Sequence, residues 1–300
     1  DCETCPDGVE VALTAVMWGV PDAVDADGLG VSVGEALADE TRFLQAVADR
    51  VNAPGPCCIT AGFRVRYDPT RTVRETAEEV AAFLNGVAVA MAQAPFVARV
   101  RFHLIGFSAG GQVAINVASR VLSMIPRAPT VPLQDRLWCG RLLGEKGGLA
   151  ILVETDLVTI ATPLGSSGGV FGIITGLSEL AGFLAGLGRR LARLFASART
   201  FATSVGEDDY GGPRPARLCR YVGIVTCGDY DSSPGAEEDP RDDPARLGAW
   251  QPQVVALRRE AGEPTRHTDA AAVAVRRFPG AFALGCACIS APAGPGECED

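Results

Sequence analysis

The sequence predicts an α/β fold with a mostly parallel sheet flanked by helices, on three grounds. Strand-like and helix-like hydrophobic runs alternate along the chain, which is the pattern of successive βαβ units. Hydrophobic residues make up 47% of the chain and charged residues 21%, an ordinary balance for a globular protein. A chain of 300 residues can bury a large core in one domain of this class. We therefore expect a single domain over residues 1–300.

The first half of the chain contains the clearest alternation. Between the first two predicted strands, hydrophobic residues recur at helical spacing up to Val51. Thr72 and Glu75 stand at the spacing of a capping box, so a helix is expected to begin there. The strands of this half are predicted at residues 9–17, 63–67 and 100–106, and a helix after a Gly-rich turn is predicted at 109–124.

The second half is less regular. Residues 126–146 show little periodicity and are expected to form an irregular excursion. Residues 231–243 are dense in Asp, Glu and Pro and are expected to form a solvated loop. The remaining elements are predicted as strands at 149–163, 221–227 and 254–257 and a closing helix at 268–278.

Ten cysteines indicate disulfides and an oxidising compartment, because thiols in a reducing cytosol mostly stay free. The adjacent Cys57 and Cys58 cannot bond each other without strain, so each is expected to have a distant partner. Three further cysteines predict a stapled tail over residues 286–300. The chain begins with Asp1 rather than Met, which fits a secreted product whose export signal has been removed.

The acidic balance excludes one class of partner. With 36 Asp and Glu against 27 Lys and Arg, the net charge of −9 argues against a surface that binds nucleic acid or anionic lipid. Residues 168–188 are long enough to cross a bilayer and carry Glu179 as their only charge. Because this stretch is Gly-rich with that acid at mid-span, we interpret it as part of an amphipathic helix instead.

A G-x-S-x-G segment, Gly106 to Gly110, lies between a predicted strand and a predicted helix, which is the context of a nucleophile elbow. A serine on such a turn is exposed, and the helix start behind it supplies N–H groups where an oxyanion would form. A second match is centred on Ser167, but Pro163 interrupts the strand before it. We therefore predict Ser108 as the nucleophile.

The chain contains two histidines that could act as the base for this serine. His103 lies inside a predicted strand and is expected to be structural. His267 follows the last predicted strand and precedes the last helix, where a loop can bring its imidazole over the elbow. The carboxylate that orients the imidazole is expected at Asp231, with Asp229 as the second choice, because both follow the strand of residues 221–227.

Two segments resemble bacterial lipases and esterases of the α/β-hydrolase superfamily. Residues 103–111, HLIGFSAGG, are similar to the nucleophile segment of these enzymes, and residues 158–166, VTIATPLGS, are similar to the strand end that follows it. The resemblance implies the α/β-hydrolase fold and a triad in the chain order Ser, Asp, His. The chain departs from it at residues 18–20, Trp-Gly-Val, where those lipases usually carry a His-Gly pair, and at Leu164, where they commonly carry histidine.

The resemblance also suggests how a substrate would be held. We expect the backbone N–H groups of Ala109 and Val20 to form the oxyanion hole. Residues 166–205 fall where these lipases carry a helical lid or cap, and a helix simply packed on the sheet is an equally good interpretation. With a lid, we expect an acyl chain to be bound by four hydrophobic residues: Trp18, Phe107, Phe171 and Ile174.

The sequence thus predicts a secreted serine hydrolase that cleaves carboxylic esters, a lipase or esterase, with no metal or cofactor. The acidic residues 237–243 are interpreted as solvated loop rather than as a calcium site. The expected partner is a small-molecule or lipid ester, with transient contact to a lipid interface and no obligate protein partner. Three alternatives stay open: a thioesterase, peptidase or acyltransferase of the same fold, a catalytically silent binding protein, and a membrane-anchored protein.

Overall fold

The computed structural model describes the central sheet and the helices that flank it. The described residues are 2–19, 33–51, 55–66, 68, 71–128, 132–162, 217–226, 252–263, 266–290 and 292, without the side chains of residues 33–37. The predicted lid at 166–205, the apolar stretch 168–188 within it and the acidic stretch 237–243 lie outside these residues. None of the helices in the described ranges is long and apolar enough to span a membrane.

The described part contains nine strands and four α-helices, and strands and helices alternate strictly only as far as the strand Met124–Pro126. The strands are β1 (Val9–Met17), β2 (Cys58–Val65), β3 (Val97–Phe107), β4 (Met124–Pro126), β5 (Leu137–Trp138), β6 (Arg141–Leu142), β7 (Ala150–Ile160), β8 (Leu218–Val225) and β9 (Gln253–Ala256). The helices are α1 (Val33–Val51), α2 (Val73–Ala92), α3 (Ala109–Ala118) and α4 (His267–Arg277).

The main sheet is mostly parallel, as the sequence predicted. Its strands follow the order β2-β1-β3-β7-β8-β9, and each neighbouring pair in that order runs parallel. Only the short β4 is antiparallel, and it pairs with the first residues of β7. Because the strands are parallel, all their carboxyl ends meet at one edge of the sheet and all their amino ends meet at the other.

Helices cover both faces of the sheet, so its strands are buried from two sides. α2 and α3 pack on one face around Leu84, Phe102 and Ile115. α1 and α4 pack on the other face around Phe43, Ile105 and Phe282. Near-continuous burial along β3 and β7 agrees with this three-layer arrangement. The prediction of an α/β fold with a parallel sheet flanked by helices is confirmed.

Several predicted boundaries were wrong by a few residues. β2 begins at Cys58 instead of residue 63, because it is an edge strand whose largely exposed residues give no hydrophobic pattern. α3 ends at Ala118 instead of residue 124, because the side chain of Asn85 binds the backbone of the turn that follows, at Arg120 and Leu122. His267, predicted on a loop, is the first residue of α4.

Eight cysteines of the described residues form four disulfides, which confirms the expected use of these residues. The adjacent Cys57 and Cys58 each have a distant partner, Cys5 and Cys286 respectively. The other bridges are Cys2–Cys139 and Cys219–Cys288, and the remaining two cysteines, Cys227 and Cys298, lie outside the described residues. These bridges are typical of an oxidising compartment.

Candidate active site

Ser108 occupies the turn between β3 and α3. Its backbone angles are φ 52° and ψ −132°, and a positive φ is rare for a residue with a side chain. Ser108 stands at the N-cap position of α3, yet its side chain makes no capping hydrogen bond. The side chain is partly exposed. The turn therefore leaves this hydroxyl accessible instead of using it to cap the start of the helix.

Gly106 and Gly110 let α3 approach the sheet closely at this turn. A Cβ on Gly106 would lie 2.4 Å from the Cα of Gly111. A Cβ on Gly110 would lie 2.1 Å from the carbonyl oxygen of Trp18, which follows β1. No side chain fits at such distances, so packing requires both glycines of the motif. This tight packing holds Ser108 in its strained conformation.

Hydrogen bonds fix the backbone around the serine. The N–H of Ser108 donates to the carbonyl oxygen of Ile160 at 2.9 Å, and the N–H of Gly111 donates to the carbonyl oxygen of Ser108 at 2.8 Å. Ala109 is the first residue of α3, so helix geometry leaves its N–H without a hydrogen-bond acceptor inside the helix. The partial positive charge of the helix N-terminus therefore lies beside Ser108. Val20, the other predicted oxyanion donor, lies outside the described residues.

The serine stands where the strand order of the sheet reverses. β1 is followed in the chain by its neighbour on one side, β2, and then by its neighbour on the other side, β3. Open α/β sheets bind ligands at the carboxyl ends of such strands, because the two connections leave a crevice there. Gly19, beyond the end of β1, faces the serine: a Cβ built on it would lie 3.5 Å from Ser108 Oγ.

A strained serine between a strand and a helix, at the carboxyl edge of a sheet with this strand order, is the arrangement of a nucleophile elbow. The strand order and the turn of the described residues are those of the α/β-hydrolase fold. Both the elbow and the strand order match what the resemblance of residues 103–111 implies for this fold. An α/β-hydrolase carries its other catalytic residues on loops at the same edge of the sheet.

The second predicted catalytic residue, His267, lies next to the elbow. Its imidazole packs on the ring of Phe107, with 4.8 Å between ring centroids, and Phe107 directly precedes Ser108. The histidine is 9% exposed at the N-terminus of α4. Phe107 and His267 are 160 positions apart in the sequence, and the fold brings their side chains into contact. The two predicted carboxylates, Asp231 and Asp229, lie outside the described residues.

Two of the four residues predicted to bind substrate are described, and both are buried. Trp18 is 3% exposed and Phe107 is 1% exposed. Their rings pack on each other with 4.5 Å between centroids, and each also packs on Phe43 of α1. These rings form a hydrophobic layer beneath the serine instead of an open surface. The other two residues, Phe171 and Ile174, lie outside the described residues.

A polar network beside His267 was not predicted from the sequence. Asp39 of α1 accepts hydrogen bonds from the side chains of Arg266 and Thr268, the two neighbours of His267. The residues in contact are more than 220 positions apart, so no local pattern could reveal the network. The only local signal is the polar character of Arg266, Thr268 and Asp269 around the histidine.

His103, the other histidine, has a structural environment, as predicted. It is buried on β3, where Nε2 lies 2.7 Å from the carbonyl oxygen of Gly285 and Nδ1 lies 3.1 Å from a carboxylate oxygen of Asp156. The residue thus joins β3 to β7 and to the segment after α4, and it does not reach the edge where Ser108 lies.

One group in the described residues has the spacing of metal ligands: Asp156, Cys219 and Cys288. The two cysteines of this group form a disulfide with each other. The guanidinium of Arg101 lies 3.0 and 3.1 Å from their sulfur atoms and 3.5 Å from the carboxylate. A cation already occupies the position that a metal ion would take, so these residues do not fit a metal site.

Several solved structures are similar to this chain over most of its length. The type II thioesterase YbtT of the yersiniabactin NRPS/PKS pathway is 17% identical, with 92% of this chain and 95% of that chain covered and a TM-score of 0.38. A candidate cell surface hydrolase of Lactobacillus plantarum WCFS1 is 11% identical, with coverages of 91% and 92% and a TM-score of 0.39. The RedJ thioesterase of the prodiginine pathway in Streptomyces coelicolor is 16% identical, with coverages of 90% and 82% and a TM-score of 0.36. No family model and no curated protein matches the sequence.

Proposed function

We propose that the protein is a serine hydrolase that cleaves carboxylic esters through an acyl-enzyme. The observation that carries this proposal is the conformation of Ser108, a partly exposed serine at positive φ between a central parallel strand and a helix N-terminus. Backbone strain of this kind clusters at active sites, and glycine would adopt the same turn at a lower energy cost. The contact between the rings of His267 and Phe107 supports His267 as the base.

The reaction has two steps that use the same residues. Ser108 Oγ attacks the carbonyl carbon of the ester while the imidazole of His267 takes the hydroxyl proton. The tetrahedral intermediate collapses, the C–O bond to the leaving alcohol breaks, and the imidazolium returns the proton to that alcohol. Water then attacks the acyl-enzyme in the same way and releases the carboxylic acid. Asp231, or Asp229 as the second choice, holds the imidazolium in place.

The oxyanion of each intermediate is stabilised at the start of α3. The N–H of Ala109 is one donor, and the N–H of Val20 is the second. The loss of one aligned donor from such a site costs about 2.7 to 4 kcal/mol in transition-state stabilisation. The loop after β1 is suited to this role because Gly19 lies against the serine side chain.

The proposed substrate class is an ester with an apolar acyl group. The rings of Trp18, Phe107 and Phe43 are buried against one another, so the residues that contact the acyl group are proposed to come from the lid at 166–205. The triad chemistry does not distinguish an oxygen ester from a thioester, so thioester hydrolysis is the second candidate. A matched panel of oxygen esters and thioesters that share one acyl chain separates the two, because only the leaving group differs. Higher kcat/KM for the thioesters would replace esterase with thioesterase.

We also propose that the protein acts outside the cytosol. The four disulfides support this location, because they need an oxidising compartment to form. A small-molecule or lipid ester is the partner that the site requires. No metal or cofactor takes part in the proposed chemistry.

A fluorophosphonate probe tests the proposal. Its phosphorus bonds to an activated serine Oγ and fluoride leaves, so labelling reports nucleophile activation without a choice of substrate. We expect mass spectrometry to locate the label on Ser108 and the variant Ser108→Ala to be unlabelled. Ser167→Ala is the matched control, because Ser167 is the other serine in a G-x-S-x-G segment, and this variant should be labelled as wild type. Labelling that survives Ser108→Ala would overturn the proposal.

A further inference from the structure

Asp39 is a buried carboxylate of α1 that faces the start of α4. It is 1% exposed, and its carboxylate is engaged on both oxygens. Oδ2 accepts a hydrogen bond from the hydroxyl of Thr268 at 2.6 Å, and Oδ1 accepts one from the guanidinium of Arg266 at 3.1 Å. Arg42, one turn further along α1, also pairs with Oδ1. A buried carboxylate with this many donors holds its partners in one geometry.

The network is balanced in charge, and each of its carboxylates contacts both of its guanidiniums. Asp269, in the first turn of α4, binds the guanidinium of Arg266 at 2.9 Å and lies 3.5 Å from Arg42. Two carboxylates, Asp39 and Asp269, therefore face two guanidiniums. The N–H of Asp269 also donates to the carbonyl oxygen of Arg266, which fixes the backbone across His267. The two carboxylates are buried, whereas the side chains of Arg266 and Arg42 are 32% and 56% exposed. A displacement of either arginine would leave a buried carboxylate with fewer partners, which is unfavourable.

The placement of this network around His267 is its distinctive feature. Two of the three donors to Asp39 in the described ranges, Arg266 and Thr268, immediately precede and follow the histidine. The imidazole itself packs on the ring of Phe107 at the elbow. One anchored neighbour would fix a position, whereas two fix both the position and the direction of the residue between them.

We propose that Asp39 is a positioning residue that sets the orientation of His267 toward Ser108 through Arg266 and Thr268. This inference rests on the proposed function, in which His267 is the base. Asp39 does not touch substrate. It determines whether the imidazole is in place when the Ser108 hydroxyl reacts. Displacement of a catalytic group by about 1 Å can reduce a rate by about a hundredfold, so such control has a measurable effect.

The test compares variants that remove one anchor at a time. Thr268→Val removes the hydroxyl donor and keeps the side-chain shape, and Thr268→Ser restores the hydroxyl. Asp39→Asn removes the charge that binds Arg266. Glu40→Gln is the matched control, because Glu40 is the next residue of α1, is equally buried, and pairs at 2.6 Å with Arg64 of β2 instead of with α4.

Two constants of fluorophosphonate labelling are measured, the maximal rate at saturating probe and the probe concentration that gives half of it. We expect Thr268→Val and Asp39→Asn to lower the maximal rate by about tenfold to a hundredfold with the half-saturating concentration unchanged. Thr268→Ser should recover most of the rate, and Glu40→Gln should label as wild type. Thermal unfolding of every variant identifies any that fail to fold, and Thr268→Val decides the question if Asp39→Asn is one of them.

The outcomes separate this inference from the proposed function. If Ser108 of the wild type is labelled but Thr268→Val labels at the wild-type rate, Asp39 does not position the histidine. If Glu40→Gln lost as much labelling rate as Asp39→Asn and Thr268→Val, the loss would reflect general destabilisation, and the inference would be overturned. If Ser108 of the wild type is not labelled at all, the proposed function itself is wrong.

Discussion

At the scale of single residues, the backbone of Ser108 links sequence, packing and chemistry. A residue held in such a rarely occupied conformation costs of order 1–3 kcal/mol, so its surroundings must compensate. Gly106 and Gly110 permit the close contacts that do so. The G-x-S-x-G motif therefore encodes a packing arrangement as well as the proposed nucleophile.

Gly110→Ala should destabilise the protein and distort the elbow. The new Cβ would lie 2.1 Å from a backbone carbonyl oxygen, and overpacking of this kind costs about 1–3 kcal/mol. Gly86→Ala is the matched control, because Gly86 lies inside α2 and, apart from its chain neighbours and the nearby helix backbone, no atom of the described residues lies within 4 Å of the new Cβ. It should stabilise the protein by about 0.5–1 kcal/mol, since alanine favours helix. Urea unfolding measures both, and equal effects of the two substitutions would contradict the packing account.

At the scale of elements, the two ends of α2 show what a sequence can and cannot predict. Its N-terminus has the predicted capping box: the N–H of Glu75 donates to Thr72 Oγ1, and the N–H of Thr72 donates to the Glu75 carboxylate. Both partners lie within four residues, so the pattern is visible in the sequence. At the C-terminus, the guanidinium of Arg127 binds the carbonyl oxygens of Ala92 and Ala94. That contact joins residues more than 30 positions apart, and no local pattern predicts it.

The same distinction applies to the candidate site. Ser108 was predicted because its motif, strand and helix are contiguous in the chain. His267 was predicted by elimination, since the chain has only two histidines. The role proposed for Asp39 was not predictable, because it depends on how α1 packs against α4. Local patterns thus identify the candidate reactive residues, whereas the residues proposed to orient them are found only in the tertiary structure.

The capping box makes a prediction about pH. The hydrogen bond from the backbone N–H of Thr72, followed by that from its side chain, lowers the pKa of Glu75 below its usual 4.5. A carboxyl whose pKa is lowered by folding stabilises the protein above its unfolded pKa, and this stabilisation is lost as the pH falls through its folded pKa. Glu75→Gln should therefore lower Tm at pH 7 and have little effect at about pH 3. Thermal unfolding at both pH values checks this, and an equal loss at both would contradict a role for the charge.

At the scale of the whole molecule, stability and chemistry are separated between the two edges of the sheet. Cys58 opens β2 and Cys219 lies at the start of β8, so their bridges lie at the amino-terminal edge. The elbow lies at the carboxyl edge, after β3. The bridge between Cys58 and Cys286 closes a loop of 228 residues and ties the segment after α4 to the edge strand. These two disulfides can therefore stabilise the fold without contacting the candidate active site.

Removal of this bridge should weaken the protein but not the site. The double variant Cys58→Ser, Cys286→Ser should lose roughly 2–5 kcal/mol of unfolding free energy, because the unfolded chain gains freedom. The rate of fluorophosphonate labelling of Ser108 at 25 °C should stay at the wild-type value, since the bridge lies at the opposite edge. Urea unfolding and labelling are measured on the same preparation. A large fall in labelling while the variant is still folded would contradict the separation of the two edges.

The most direct measurement of the central claim is the distance between Ser108 Oγ and the nearest ring nitrogen of His267 in a crystal structure of the phosphonylated protein. We predict about 2.6–3.2 Å, the range of a hydrogen bond between nucleophile and base, with the phosphonyl oxygen bound by the N–H of Ala109. An imidazole directed away from a phosphonylated Ser108, beyond hydrogen-bond reach, would contradict the assignment of this histidine as the base.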